Sequence, residues 1–285
     1  MSSAPTPAEP GPRRVAVLGL GVMGGSLVRA LARRTGGPAV AGWSPDPAER
    51  QAARAEGALD EAPGSWQDAV HGADLVVLAA PLADTCDLLG RLPPHLDAGA
   101  VVTDVASLKA PVVRAARSAG LEDRFAGSHP MTGSESRGFD ASRAELYDGA
   151  PVWVVPGGEA ATAAVAAFWR ALGAAPTSID AEAHDRLMAL VSHLPQLAAT
   201  ALADTLADRG VSAGALGPGG RDTTRLAASN PEMWRDILAH APPESAAGLR
   251  ALAGALDGLA DALEAGDVDH LTMVMARTAA WKARP

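Results

Sequence analysis

The stretch VAVLGLGVMGGSLVRAL, residues 15–31, joins a short apolar run to a glycine-rich turn and then to a helical pattern. Residues 15–18 are all apolar, which favours a buried strand. Gly19, Gly21 and Gly24 follow with G-x-G-x-x-G spacing. The first glycine permits a tight turn, the second lets the backbone approach a pyrophosphate, and the third allows the helix to pack closely on the strand. In this strand–turn–helix context the motif predicts a dinucleotide-binding domain.

Further apolar runs predict the other strands of the same sheet. The runs at residues 73–81 and 99–107 are unbroken, which is typical of strands buried on both faces of a parallel sheet. Shorter runs at 38–44 and 150–156 predict two more strands, and helical patterns alternate with all of them. The sequence therefore predicts an α/β fold, a Rossmann-type doubly wound parallel sheet.

The pattern changes after residue 178, since only helical stretches follow from residue 181 onward. The N-terminus, by contrast, is rich in proline, serine and alanine and predicts a disordered tail. We expect a tail over residues 1–12, a dinucleotide-binding Rossmann domain over 13–178, and an all-helical domain over 179–285.

Composition excludes several classes of partner. The net charge is −9 and no basic stripe is present, so nucleic acid is not an expected ligand. Cys86 is the only cysteine, which excludes an internal disulfide and a Cys-based zinc site, and we expect no metal. No apolar run approaches the roughly 18 residues of a membrane helix, and the N-terminus lacks the apolar region of a secretory signal. We expect a soluble cytoplasmic protein that binds no membrane.

The residues expected to bind the cofactor lie at the carboxyl ends of the first three strands. NAD sites usually carry an acid after the second strand, where this chain has Ser44 and then Asp46. No arginine stands beside Ser44 in the sequence, and the nearest downstream is Arg50. We expect NAD, with NADP as the alternative. Ser44 or Asp46 is expected near the ribose. An equally good interpretation of Asp46 is that it only starts the next helix. The full expected set is Gly19, Gly21, Val22, Met23, Gly24, Ser44, Asp46, Ala80 and Pro81.

Two predicted loops at the ends of strands carry side chains suited to catalysis. TDVASLK, residues 103–109, contains Ser107, and GSHPMTGSE, residues 127–135, contains His129. Ligands of doubly wound folds bind beyond the carboxyl ends of the strands, so both side chains are expected to converge on the nicotinamide. A lone histidine more often makes a structural hydrogen bond, but its place at a strand end before a glycine-rich segment favours a catalytic role.

Five segments, in this order and spacing, resemble the prephenate/arogenate dehydrogenases of tyrosine biosynthesis. They are VLGLGVMGGSLVRAL, TDVASLK, GSHPMTGSESRGFD, HDRLMALVSHLPQ and RDTTRLAASNPEMWRDI. The resemblance implies a helical domain that forms a homodimer, and a small-molecule substrate, prephenate or arogenate. The implied reaction is oxidative decarboxylation to 4-hydroxyphenylpyruvate or tyrosine, with hydride transfer to NAD(P).

The resemblance also implies roles for individual residues. His129 is the base for the substrate hydroxyl and Ser107 its neighbour, while Arg225 binds a substrate carboxylate. Gln196 departs from the histidine that many members carry in SHLPH. An amide can accept from the ammonium of arogenate and donate to the keto group of prephenate, so Gln196 leaves the substrate open. The residues implied to bind substrate are Arg225, Gln196, His184, Thr132 and Gly133.

Three other functions compete with this one. A dehydrogenase of the amino analogue 4-amino-4-deoxyprephenate, from specialised metabolism, would share the same motifs. The β-hydroxyacid dehydrogenases share the GLGxMG opening but need a lysine in the helical domain, and residues 179–281 contain none. A non-catalytic nucleotide-binding protein would not need Ser107, His129 and Arg225 together.

Overall fold

The structure is a computed structural model that describes residues 11–133 and 136–284. The described chain divides into two compact units. One contains the residues up to Asp185 together with Ser229–His240, and the other contains Arg186–Ala228 and the residues from Ala241 onward. Residues 1–10 of the predicted tail lie outside the described residues.

Four parallel strands form the first part of the sheet, in the order β2-β1-β3-β4. Side chains alternate between the two faces of β1, so Val15 and Val17 enter one apolar cluster while Ala16 and Leu18 enter another. A sheet with an apolar core on each face is doubly wound, and this part of the predicted fold is confirmed. The strands are β1 (Arg14–Leu18), β2 (Ala39–Trp43), β3 (Leu75–Leu78) and β4 (Val101–Asp104).

Three further strands, β5 (Gly127–Pro130), β6 (Pro151–Val155) and β7 (Ala175–Ser178), form a second ladder. β6 pairs antiparallel with β5 and parallel with β7. A parallel bridge between Val102 and Phe125 links the segment before β5 to β4. The prediction that GSHPMTGSE is a loop was therefore wrong for its first four residues. Glycine and proline give β5 little intrinsic strand preference, and its pairing with β6 makes it a strand.

Six helices accompany these strands, and their termini follow local signals. Asp46 caps α2 by accepting from the backbone N–H of Ala48 at 2.8 Å, and Pro47 occupies the first helical position. The helices are α1 (Val22–Ala32), α2 (Pro47–Ala55), α3 (Trp66–Val70), α4 (Leu82–Arg91), α5 (Ala110–Ser118) and α6 (Glu159–Ala171).

Every element described from Ala181 onward is helical, as predicted. Residues Ala189–His193 form a π-helical turn between the first two of these helices. No helix among the described residues combines the length and the apolar character that crossing a bilayer requires. The helices are α7 (Ala181–Met188), α8 (Leu194–Asp208), α9 (Pro218–Thr224), α10 (Pro231–Ala239), α11 (Pro243–Glu264) and α12 (Val268–Lys282).

Candidate active site

The glycine turn connects β1 to α1, and each of its three glycines meets a different geometric demand. Gly19 has φ +104°, and a Cβ there would lie 2.4 Å from the carbonyl oxygen of Ala79. A Cβ on Gly24 would lie 1.8 Å from the carbonyl oxygen of Gly19, whereas a Cβ on Gly21 would meet nothing within 4 Å. No side chain of the described residues caps α1. The turn therefore combines two close backbone packings with one open approach to a helix N-terminus, which suits a pyrophosphate.

The end of β2 lies beside this turn, since the backbone N–H of Gly19 donates to the carbonyl of Trp43 at 2.7 Å. The hydroxyl of the buried Ser44 donates to the Glu49 carboxylate at 2.5 Å, and the Arg50 guanidinium donates to the Ser44 carbonyl. No arginine is adjacent to Ser44 in the sequence, but in the folded protein Arg50 lies beside it. Arg50 contacts Ser44 because it lies in the first turn of α2, and only residues 44–46 separate that helix from β2.

Glu49 is a residue that the sequence argument missed. Its carboxylate lies at the end of β2, the place where NAD enzymes usually present an acid. The only sequence signal for Glu49 is its place in the first turn of α2, close in the chain to Ser44.

The end of β4 and Lys109 beyond it are tied to β5 by buried polar contacts on Ser128. The backbone N–H of Ser128 donates to Asp104 Oδ1 at 3.1 Å, and its carbonyl accepts from Lys109 Nζ at 2.7 Å. Lys109 also forms an ion pair with Asp104, and both side chains are fully buried. Thr103 and Ser128 share a hydrogen bond of 3.0 Å between their hydroxyls. These bonds hold the segment that contains Ser107 against the strand that contains His129.

His129 lies in β5 opposite Trp153, and its ring contacts a second histidine from α7. His129 Nδ1 lies 2.9 Å from His184 Nε2, and His184 Nδ1 lies 2.8 Å from Asp185 Oδ1. His184 is fully buried, and both of its ring nitrogens bond to protein groups. This differs from the expectation that His184 binds substrate, because its polar atoms are engaged by the protein.

The surroundings of His129 favour the neutral form of its ring. Burial lowers the pKa of His129 well below its usual value of 6.5, and the nearby Lys109 ammonium lowers it further. Burial also lowers the pKa of Lys109, an effect that the Asp104 carboxylate opposes. A neutral imidazole has a lone pair, so this site can accept a proton at neutral pH.

The structure brings Gln196 and Arg225 close together in the second unit. The Gln196 amide donates to the carbonyl of Leu226 at 2.8 Å, the residue after Arg225 in the 3₁₀ turn Arg225–Ala228. Gln196 is buried on α8, and Arg225 is exposed. Farther along, His193 Nδ1 bonds to the hydroxyl of Ser245 at 2.9 Å, which is a structural contact between helices.

The other predicted site residues lie after the carboxyl ends of β3 and β5. Ala80 and Pro81 follow β3, and the backbone of Ala79 and Ala80 packs against Gly19. Thr132 and Gly133 follow β5 and directly precede residues 134–135, which lie outside the described residues. Among the described residues no group of three or more His, Cys, Asp or Glu side chains is placed to hold a metal ion.

Two family models match most of the chain. Residues 27–177 match the prephenate dehydrogenase nucleotide-binding domain, and residues 180–277 match the prephenate dehydrogenase dimerization domain. Cyclohexadienyl dehydrogenase from Zymomonas mobilis is 31% identical over 271 residues, which are 91% of each chain.

Solved structures with similar folds carry related names. Prephenate dehydrogenase from A. aeolicus, in complex with hydroxyphenyl propionate and NAD+, has a TM-score of 0.87 and 28% identity. That match covers 95% of this chain and 97% of the other. Arogenate dehydrogenase from Synechocystis has a TM-score of 0.81 and 26% identity, over 94% and 98% of the two chains.

Proposed function

The chain belongs to the prephenate dehydrogenase family, and from that premise we propose that it catalyses the NAD-dependent oxidative decarboxylation of prephenate or arogenate. The observation that carries the proposal is the partly buried His129, which is hydrogen-bonded to His184 in the same unit as the glycine turn and whose pKa is lowered by burial. The relatives named cyclohexadienyl, prephenate and arogenate dehydrogenase support this reaction class.

For this reaction the protein must supply a base and must align the substrate with the cofactor. Hydride leaves the ring carbon that bears the 4-hydroxyl, and the ring carboxylate leaves as carbon dioxide, so that the ring becomes aromatic. His129 accepts the hydroxyl proton on a ring nitrogen. Ser107 lies between Asp104 and Lys109, which are both bonded to Ser128 beside His129, and its hydroxyl is the proposed group that orients the substrate hydroxyl.

The residues of the glycine turn fit a dinucleotide. Gly21 leaves open space above the uncapped start of α1, where the N–H groups and the helix dipole favour a pyrophosphate. Val22 and Met23 form the first turn of that helix. When bound there, NAD would supply the hydride acceptor, and the A. aeolicus relative was solved in complex with NAD+. Glu49, with Ser44 and Asp46, is our candidate for the ribose hydroxyls, which favours NAD over NADP.

The substrate carries two carboxylates, and cationic or amide donors are needed to bind them. Arg225 is the proposed partner of one carboxylate, and Gln196, beside the same turn, is the proposed partner of the side chain. Thr132 and Gly133 are the proposed backbone and hydroxyl contacts after β5. His184 is proposed to act through His129.

The helical domain is proposed to form a homodimer, and the chain to act in the cytoplasm. The match of residues 180–277 to a dimerization domain supports the first proposal. The homodimer is also supported by large apolar side chains on α11 and α12 that are more than half exposed. They are Leu256, Leu263, Val268, Met273, Met275 and Trp281.

The test is kcat/KM for prephenate and for arogenate, each with NAD and with NADP. We expect turnover of at least one substrate and a preference for NAD. His129→Asn should lower kcat by about 10²–10⁴-fold while substrate and NAD binding are kept, because only the proton acceptor is lost. Wild-type turnover by that variant would contradict the role of His129.

A further inference from the structure

A chain of three hydrogen-bonded side chains ends on His129. Asp185 Oδ1 lies 2.8 Å from His184 Nδ1, and His184 Nε2 lies 2.9 Å from His129 Nδ1. His184 is 0% exposed and Asp185 is 5% exposed, so solvent does not compete for these bonds. All three residues belong to the first compact unit. The arrangement is therefore complete within one folded body.

The carboxylate of Asp185 sets the direction of the hydrogen bonds. It accepts from the backbone N–H groups of Lys109 at 2.8 Å and Ala110 at 2.9 Å, in addition to His184. Burial acts to raise the pKa of Asp185, but the hydrogen bonds from His184 and from these N–H groups outweigh it and lower the pKa. An ionised carboxylate only accepts, so His184 Nδ1 carries the proton of this bond.

A neutral imidazole has one donor and one acceptor nitrogen. With its proton on Nδ1, His184 offers the Nε2 lone pair to His129, and His129 Nδ1 must then be the donor. We propose that Asp185 and His184 are positioning residues that fix the tautomer of His129, with its proton on Nδ1 and its lone pair on Nε2.

This tautomer is the one that a base at this site needs. The substrate hydroxyl loses its proton to Nε2, so an O–H bond breaks and an N–H bond forms on His129. The positive charge that develops on His129 is then stabilised through His184 by the Asp185 carboxylate, in the manner of a catalytic triad. The opposite tautomer would present an N–H group to the hydroxyl and could not accept its proton. The inference rests on the proposed function for its chemistry, but the tautomer itself is a property of the resting protein.

The direct test is ¹⁵N–¹H NMR of the histidine side chains in the full-length protein without ligands. The chain has seven histidines, so a spectrum of His129→Asn assigns the His129 signals by difference. We expect a protonated Nδ1 and an unprotonated Nε2 on His129 at neutral pH. A proton on Nε2 of His129 would overturn the proposal.

Kinetics of two His184 variants provide the second test. His184→Met fills similar space without an acceptor, and we expect kcat to fall by about 10²-fold or more, within the range for a general base, while KM changes little. His184→Gln can place an amide oxygen near the former Nε2 position, and we expect it to restore kcat to within about tenfold of the wild type. The positioning role would be contradicted if His184→Met kept the wild-type kcat. It would also be contradicted if both variants raised KM and left kcat unchanged.

A matched control and an independent readout separate this inference from the proposed function. His95→Gln changes an exposed histidine in the 3₁₀ turn Pro93–His95, which precedes β4, and should leave kcat unchanged. A wild-type chain that oxidises neither prephenate nor arogenate refutes the proposed function. In that case Nδ1 protonation of His129 still supports the positioning, and Nε2 protonation still refutes it.

Discussion

Gly21 and Gly24 lie three residues apart in one turn, yet we expect alanine to damage the protein differently at each. A Cβ on Gly24 would lie 1.8 Å from the backbone oxygen of Gly19, and one on Gly21 would meet nothing within 4 Å. Gly24→Ala should therefore impair folding. Gly21→Ala should impair NAD binding only, because its methyl group would occupy the space through which the pyrophosphate approaches.

The size of the Gly24→Ala effect follows from the overlap. A carbon and a carbonyl oxygen normally approach no closer than about 3.3 Å, so α1 must move away from Gly19 by more than an ångström. Overpacking costs about 1–3 kcal/mol when side chains can yield, and a backbone oxygen yields less than a side chain. We expect a loss near 3 kcal/mol, about the upper value of that range. At roughly 2–4 °C per kcal/mol, the melting temperature should fall by about 6–12 °C.

Gly21→Ala should leave stability nearly unchanged. Gly21 has φ −64° and ψ −161°, close to the extended region, so alanine fits there with little strain. Alanine is a poorer N-cap than glycine by about 0.5–1 kcal/mol, and it gains about 0.4–1 kcal/mol by restricting the unfolded chain. These effects offset each other. We expect the Kd for NAD to rise at least about tenfold, which corresponds to about 1.4 kcal/mol.

Calorimetric melting without ligand and titration with NAD measure the two effects separately. Gly90→Ala is the matched control, because Gly90 lies near the end of α4 with open space around its Cα. It should melt at or above the wild-type temperature and bind NAD normally. The reasoning fails if Gly24→Ala melts like the wild type, or if Gly21→Ala binds NAD with wild-type affinity.

Three further outcomes follow from the site. Because burial and the nearby Lys109 hold the pKa of His129 well below 6.5, the acid limb of the kcat/KM profile should lie below pH 6.5, and a midpoint above it would contradict the neutral base. Lys109→Met should lower the free energy of unfolding by about 3–5 kcal/mol, because Asp104 stays buried without its cation; denaturant titration measures this, and a loss under 1 kcal/mol would refute it. Arg225→Ala should raise the substrate KM roughly 10- to 100-fold, since a hydrogen bond to a charged group contributes about 1.5–3 kcal/mol, whereas the exposed control Arg221→Ala should not.

Much of the fold could be predicted from local pattern. The apolar run of β1, the spacing of Gly19, Gly21 and Gly24, and the change to helical patterns after residue 178 each have a local physical cause. β5 could not be predicted in this way. Its residues, Gly127–Pro130, have little strand preference, and only pairing with β6 makes them a strand.

The same division holds for the candidate site. The sequence by itself determined the dinucleotide turn and singled out His129 and Ser107, because their chemistry and their place beside strand ends are local properties. Only the tertiary structure decided what surrounds His129. The contact of His184 with His129 spans 55 residues, and the hydrogen bond that the backbone N–H of Lys109 donates to Asp185 spans 76. Burial and hydrogen-bond direction arise from such distant contacts, and these set both the pKa and the tautomer of the ring.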